Sequence, residues 1–145
     1  MSFQFPLAAS TWGQEELEAM KRVIDSGMYT MGHNVAEFEQ SFANYTNSRY
    51  CVMVNSGSSA NLLMVAALFY TKDSPLKKGD EVIVPGLSWS TTYSPLQQYG
   101  LKLKLVDIDL NSLNIDVKKL EKAITKKTKL VCICLLYTSP SPRDR

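Results

Sequence analysis

The sequence lacks the features that mark membrane and secreted proteins. No window of about 18 consecutive apolar residues occurs in the 145-residue chain, so a transmembrane helix is not expected. The first ten residues contain no basic region followed by a long apolar run, which argues against a secretory signal peptide. These two absences predict a cytoplasmic protein.

Strong charge and groups of metal ligands are also missing. The 16 basic and 14 acidic residues leave a net charge of +2, and no basic cluster is dense enough to bind nucleic acid. The three cysteines, Cys51, Cys132 and Cys134, lie in apolar runs without further ligands, so we expect buried, reduced thiols and no metal site. The single histidine, His33, lies in a predicted turn and is expected to be exposed.

Helical and strand patterns alternate along the chain. Apolar spacing predicts helices over 14–25 and 35–45, then an apolar helix over 62–69 that should be buried on all sides. Pro95 is expected to begin a helix ending near Tyr99, and Asp116 to cap a helix that ends near Ile124. Short apolar runs predict strands over 50–54, 81–84, 101–106 and 129–135. This order indicates an α/β domain with a mostly parallel sheet.

The last residues break this alternation. Residues 137–145 are rich in proline and serine, and the run CLLYTSPSPRDR resembles a translated sequencing adapter. We therefore expect one partial domain with its N-terminal segment over 1–134 and a non-native tail over 135–145. A natural flexible tail is the alternative.

A stretch of small residues precedes the predicted apolar helix. Residues 55–60, NSGSSA, follow a predicted strand, and the N-terminus of a helix favours an anion. Gly57 permits close approach of the backbone, while Ser58 and Ser59 supply hydroxyl donors. The motif matches neither a P-loop nor the dinucleotide fingerprint, and an ordinary helix cap explains the serines equally well.

A second loop, residues 85–92, follows the next predicted strand and carries Trp89 among small residues. The carboxyl ends of parallel strands are where ligands bind, and an indole there can stack on a flat ring. The alternative is that Trp89 closes the core. Together the two loops favour a ligand with both a phosphate and a planar ring.

Two pairs of acidic residues have simpler interpretations. Asp107 and Asp109 follow the third predicted strand, where a metal or acid/base pair is conceivable but solvated or capping carboxylates are favoured. Glu15 and Glu16 begin a helix, where negative charge complements the helix dipole.

Four segments, in this order, resemble a known family: TMGHNVAEFEQSFANY, YCVMVNSGSSANLL, GDEVIVPGLSWSTTY and VDIDLNSLNID. They are similar to the N-terminal part of the DegT/DnrJ/StrS sugar aminotransferases, and the resemblance covers about residues 5–134. It implies the aspartate aminotransferase-like large domain of fold type I enzymes, which use pyridoxal 5'-phosphate (PLP). Within the family, PLAASTW and SWSTTYSPLQQYGLKLK look most like the 3-dehydratases.

The resemblance also implies roles for individual residues. Gly57 and Ser58 match the residues that hold the PLP phosphate, and Trp89 matches the aromatic residue stacked on the pyridine ring. Thr30, Met31 and Gly32 match an early loop near the substrate. The aspartate that pairs with the pyridinium nitrogen, and the lysine that binds PLP covalently or the histidine replacing it in 3-dehydratases, are expected beyond residue 134.

The activity implied is C3 dehydration of a nucleotide-linked 4-keto-6-deoxyhexose, with an amino donor such as glutamate, for the deoxysugars of lipopolysaccharide. A sugar aminotransferase of the same family is the alternative, and family members are homodimers. Two hypotheses from other classes are an α/β nucleotide-binding protein without PLP and a truncated, inactive chain. We expect the 145-residue chain alone to be inactive.

Overall fold

A computed structural model describes residues 11–134, which divide into two compact units between Met53 and Val54. The first unit contains helices α1 (Gln14–Ser26) and α2 (His33–Tyr45). The second contains, in chain order, α3 (Gly57–Leu68), β1 (Glu81–Pro85), α4 (Ser90–Gln98), β2 (Lys102–Val106), α5 (Val117–Ala123) and β3 (Thr128–Val131). The expected tail, residues 135–145, lies outside the described residues.

Helix α1 begins and ends as its sequence predicts. The Glu16 carboxylate accepts a 2.7 Å hydrogen bond from the Gly13 N–H, which lowers the pKa of Glu16. This bond satisfies a donor at the start of the helix, whereas the expected interaction of Glu15 and Glu16 with the helix dipole stays a prediction. Gly27 ends the helix with φ of 67°, a left-handed conformation that glycine adopts without steric cost.

Helix α2 begins two residues before its predicted start. The prediction that His33 lies in a turn is wrong, because it is the first residue of this helix, but it is exposed as predicted. One turn apart on the helix, the rings of Phe38 and Phe42 stack with centroids 5.7 Å apart.

The second unit is built on a three-stranded parallel sheet in the order β2-β1-β3, which confirms the predicted parallel α/β architecture. The central strand β1 is the most buried, and the side chains of Val82, Ile83 and Val84 are fully shielded from solvent. One face of the sheet packs Val82 and Val84 against α3 and α4, and the other packs Ile83 against residues around α5. Alternate side chains of a strand point to opposite faces of the sheet, so the single apolar run of β1 packs against the elements on both faces.

The prediction of a strand over 50–54 is wrong. This segment has no regular secondary structure, and no strand within residues 11–134 pairs with it. The Met53 N–H instead donates to the Glu39 carboxylate over 2.8 Å. An apolar sequence forms a strand only where a neighbouring backbone accepts its hydrogen bonds, and residues 11–134 provide no such neighbour.

The prediction that the helix after residue 60 is buried on all sides is also wrong. Only Val65 of α3 is buried, whereas Leu63 and Met64 are about half exposed, at 46% and 52%. Within the second unit α3 packs against α4 and the sheet along one side, which leaves its other faces uncovered.

The predicted start of α4 at Pro95 is wrong as well, because the helix begins at Ser90 and contains Pro95 in its interior. Proline at this position removes one helical N–H donor without ending the helix. The final strand is shorter than predicted and stops at Val131, although the Cys132 N–H still donates to Ile83 over 2.9 Å.

The cysteine prediction is correct in part. Cys51, Cys132 and Cys134 are free thiols, but each is half-buried and not fully enclosed. Burial raises the pKa of Cys132. Among the helices of residues 11–134, none combines the length and apolarity that crossing a bilayer requires.

Candidate functional site

The amino end of α3 is held by its own serines. Ser56 precedes the helix and accepts a 3.2 Å hydrogen bond from the Ser59 N–H, while the Ser59 hydroxyl donates to Asn55 over 2.6 Å. Ser56 and Ser59 therefore form the ordinary helix cap that the sequence left open as an alternative. Ser59 is engaged within the cap, so its hydroxyl is not the free donor that the sequence suggested.

Gly57 and Ser58 form the first turn of α3 and differ from the capping serines. The first N–H groups of a helix have no acceptor within it, and those of Gly57 and Ser58 find none elsewhere in the described part of the chain. Both residues are exposed, and a Cβ built on Gly57 would meet no atom within 4 Å. This open turn, with the positive end of the helix dipole behind it, can bind an anion such as a phosphate.

The second loop lies beyond the carboxyl end of the central strand. Its backbone is fixed by the Gly86 N–H, which donates to Val106 over 2.7 Å, and by the Tyr93 hydroxyl, which donates to Pro85 over 2.8 Å. Trp89 immediately precedes α4, and its side chain is 69% exposed. The alternative that Trp89 closes the core of the second unit does not fit this exposure, and its ring is available to stack on a ligand.

The structure brings the helices that follow these two loops together. The Asn61 side chain donates from Nδ2 to the Thr91 carbonyl over 3.3 Å, which connects the second turn of α3 to the first turn of α4. An open cavity of about 170 Å³ lies between the two helices. Its lining includes Ser58 and Leu62 of α3, and Thr91, Ser94 and Gln98 of α4. The open first turn of α3 and the exposed indole before α4 thus belong to neighbouring elements, an arrangement that could accept a ligand with both a phosphate and a flat ring.

The early loop Thr30, Met31 and Gly32 belongs to the first unit, whereas Gly57, Ser58 and Trp89 belong to the second. It connects α1 to α2, and Met31 is 73% exposed. The Gly32 backbone packs closely on Met28, because a Cβ there would lie 2.9 Å from the Met28 Cγ. The loop is therefore accessible on the first unit, and its predicted place near a substrate stays a prediction.

The acidic pair after β2 is used for local structure, as the favoured interpretation predicts. Asp107 forms a 2.8 Å ion pair with Lys119, and this hydrogen-bonded ammonium lowers the pKa of Asp107. Asp109 accepts hydrogen bonds from the N–H groups of Asn111 and Ser112, and the bond from Ser112 does most to lower its pKa. Within residues 11–134 no three histidine, cysteine or acidic side chains are grouped to hold a metal ion.

The contact of Asn61 with α4 was not predicted from the sequence. The available signal is Pro95, which supplies no N–H to the carbonyl of Thr91 four residues earlier if the segment is helical. A helix that begins at Pro95 would leave Thr91 outside it, so the predicted helix gives no reason for the Thr91 carbonyl to need another donor.

Residues 10–142 match the DegT/DnrJ/EryC1/StrS aminotransferase family. This match covers nearly the whole chain, so the predicted resemblance is confirmed. The chain belongs to this family. Its members with known structures also confirm the predicted type of fold.

Two curated relatives differ in activity. The chain is 59% identical over 140 residues to GDP-4-keto-6-deoxy-D-mannose 3-dehydratase of Yersinia pseudotuberculosis, covering 97% of this chain and 36% of the relative. It is 37% identical over 125 residues to dTDP-3-amino-3,6-dideoxy-alpha-D-galactopyranose transaminase of Aneurinibacillus thermoaerophilus, covering 86% of this chain and 33% of that relative. The chain therefore spans about a third of the length of these relatives.

A solved structure gives the same comparison in three dimensions. A GDP-4-keto-6-deoxymannose-3-dehydratase with a trapped PLP-glutamate geminal diamine superposes with a TM-score of 0.88 at 55% identity. The match covers 97% of this chain and 36% of that structure. The described elements are thus those of part of a PLP-dependent, aminotransferase-like fold.

Proposed function

We propose that this chain contributes part of a PLP site to an enzyme of the length of its relatives. In this proposal Gly57 and Ser58 bind the cofactor phosphate through their N–H groups, and Trp89 packs on the pyridine ring. Support comes from the two unpaired N–H groups, the open space beside Gly57 and the exposed indole in the neighbouring loop. The residues present fit the cofactor at both its phosphate and its ring.

Bound PLP would supply an electron sink for a carbanion that forms next to nitrogen. The contribution of this chain is to bind and orient the cofactor. Two N–H donors at a helix start fix the position of the phosphate, and contact with an indole restricts the tilt of the ring. We assign no proton-transfer residue within residues 11–134.

We propose C3 dehydration of GDP-4-keto-6-deoxymannose, with glutamate as amino donor, as the reaction of the whole enzyme. The observation that carries this choice is the 59% identity to a 3-dehydratase, compared with 37% to a transaminase. Sugar transamination is the second candidate, favoured by the family to which the chain belongs.

The substrate-proximal role of Thr30, Met31 and Gly32 also belongs to this proposal. Met31 is 73% exposed and Thr30 is exposed beside it, so both are accessible to a ligand. We further propose that the whole enzyme is a cytoplasmic homodimer, as the resemblance implies.

The test uses an extended protein, defined as residues 1–134 of this chain followed by the part of the Yersinia pseudotuberculosis relative that comes after the position aligned with residue 134. We expect this protein to bind PLP and to consume GDP-4-keto-6-deoxymannose with glutamate, as measured by equilibrium dialysis and by product mass. Release of the C3 oxygen supports dehydration, and a C4 amino sugar as sole product supports transamination. The 145-residue chain alone should show no turnover.

Substitution of Gly57 tests the phosphate-binding turn. Gly57→Ala should preserve the thermal midpoint, because its φ is not left-handed and a Cβ meets no neighbour. It should weaken PLP binding by about tenfold, the loss expected when hydrogen bonds to a charged group are disturbed. Gly79→Ala, far from the site in sequence and strained at φ of 92°, should show the reverse pattern. Unchanged PLP affinity in Gly57→Ala contradicts the assignment of the phosphate.

A further inference from the structure

A proline inside α4 leaves a backbone carbonyl that α3 satisfies. Pro95 has no N–H, so the Thr91 carbonyl four residues earlier receives no helical hydrogen bond from it. The Asn61 side chain of α3 donates to this carbonyl over 3.3 Å, and the bond is partly buried. The hydrogen bond that a backbone N–H at position 95 would form within α4 is thus replaced by a bond from a side chain of α3. This bond connects the two helices.

The position of this bond relates it to both loops of the candidate site. Asn61 lies one helical turn after Gly57, and Thr91 lies two residues after Trp89. A displacement of α3 relative to α4 would therefore change the distance from the phosphate-binding turn to the indole.

Apolar packing does little to hold the first turn of α3 in place. The buried side chain of α3 is Val65, which lies two turns after Gly57, whereas Ser58 and Leu62 are exposed. In contrast, α4 is anchored by the buried Thr92, Pro95 and Leu96. A polar contact from Asn61 to this well-anchored helix is the kind of interaction that fixes a loosely packed turn.

We propose that Asn61 is a positioning residue for the PLP site. It holds the phosphate-binding turn of α3 at a fixed distance from Trp89 through the carbonyl that Pro95 leaves free. Asn61 acts through Thr91 and does not contact the cofactor. This inference rests on the proposed function, because it concerns the geometry of the same site.

The first measurement compares the extended protein with its Asn61→Ala variant. The probe is pyridoxamine 5'-phosphate, which has no aldehyde and cannot condense with surface lysines. We expect its dissociation constant, measured by equilibrium dialysis, to rise about fivefold, within the range for loss of one hydrogen bond. Thr71→Ala is the matched control, because it removes a 3.2 Å bond from a side chain to the Leu68 carbonyl at the other end of α3, away from the cavity. Its dissociation constant should stay unchanged.

The second measurement distinguishes two roles for Asn61. One is to position α3 relative to α4, and the other is only to pair the partly buried Thr91 carbonyl. Pro95→Ala restores a helical N–H to Thr91, so the double variant Asn61→Ala/Pro95→Ala again has a paired carbonyl in α4. Pro95→Ala by itself removes buried atoms from α4, so the double variant is compared with the Pro95→Ala single variant. We expect Asn61→Ala to lower the thermal midpoint less in this background than in the unsubstituted protein. The affinity of the double variant should remain low, because no side chain then connects α3 to α4.

Two results would overturn the inference while the proposed function stands. One is unchanged affinity in Asn61→Ala, and the other is recovery of affinity together with stability in the double variant. The second result would reduce Asn61 to a structural role. If the unsubstituted extended protein fails to bind the probe, the proposed function itself fails, and the inference fails with it.

Discussion

At the residue scale, Gly57 and Trp89 contribute opposite properties to the candidate site. Gly57 has no side chain, so the space in front of two N–H groups stays open. Trp89 supplies a large aromatic surface that is 69% exposed instead of being used in the core. The absence of a side chain at Gly57 lets a ligand approach the backbone, and the indole of Trp89 adds contact area. Neither property would survive exchange for another residue type.

Substitution of Trp89 tests its role in the extended protein. Trp89→Ala should weaken binding of pyridoxamine 5'-phosphate about two- to tenfold, which corresponds to the usual strength of an aromatic stacking contact. Leu87→Ala is the control, because Leu87 lies in the same loop and is 42% exposed. Equal dissociation constants for Trp89→Ala and the unsubstituted protein, measured by dialysis, would argue against stacking.

At the element scale, the loop from β2 to α5 is stabilised by its carboxylates. Asp116 caps α5 by accepting hydrogen bonds from the N–H groups of Lys118 and Lys119. The Lys119 ammonium then pairs with Asp107 at the start of the loop over 2.8 Å. One lysine thereby connects the end of a strand to the beginning of a helix, which explains why these acidic residues are structural.

The pH dependence of stability should reflect this loop. The Lys119 ion pair lowers the pKa of Asp107 below its ordinary value of 3.8, so near that pH the folded chain binds fewer protons than the unfolded chain. The resulting stabilisation is complete above pH 3.8 and is lost as the pH falls through the lower pKa of the folded state. Urea unfolding of the 145-residue chain at a series of acidic pH values measures this loss.

The variant Asp107→Asn isolates the contribution of this carboxylate. It should be less stable than the parent at neutral pH and should lose less unfolding free energy on acidification. Because Asp107 is exposed and its charge is screened, both differences should shrink at high salt. An identical acid dependence in parent and variant would show that the ion pair does not stabilise the folded state.

At the scale of the whole molecule, the chain exposes many large apolar side chains. In the second unit Leu62, Leu63 and Met64 of α3 are between 36% and 52% exposed. Such neighbouring apolar side chains form the kind of patch that promotes association in water.

The 145-residue chain should therefore associate with itself as its concentration rises. Sedimentation velocity should show a rising mean sedimentation coefficient, and Leu63→Lys should reduce this rise. Val117→Lys adds the same charge at an exposed position of α5 and serves as the control for net charge. A chain that stays monomeric throughout, or an equal response to both lysine variants, would show that α3 does not drive association.

Much of the architecture was predictable because it depends on local patterns. The amphipathic spacing in α1 and α2, the apolar run of β1 and the cap at Asp116 each produce the same element in most surroundings. The two loops of the candidate site were proposed from the combination of small residues at a helix start with a tryptophan after the next strand, and their role in binding stays a prediction.

The predictions that were wrong concern properties that depend on the elements packed against a segment. The run 50–54 has the composition of a strand but no pairing partner among residues 11–134, and α3 is apolar all round but covered along one side. Neither result is a property of the segment itself, because hydrogen bonds and burial require a second element.

The family, the helices with clear periodicity and the parallel sheet follow from sequence patterns, which also single out the glycine-serine loop and the tryptophan loop as candidates for binding a ligand. Three-dimensional packing was needed to show that Pro95 lies inside α4, that the freed Thr91 carbonyl pairs with Asn61, and that α3 and α4 lie side by side. Asn61 and Thr91 are 30 residues apart in sequence, and no local pattern specifies a hydrogen bond over that separation. Local chemistry fixes which residues can bind a ligand, whereas packing fixes their distances from one another.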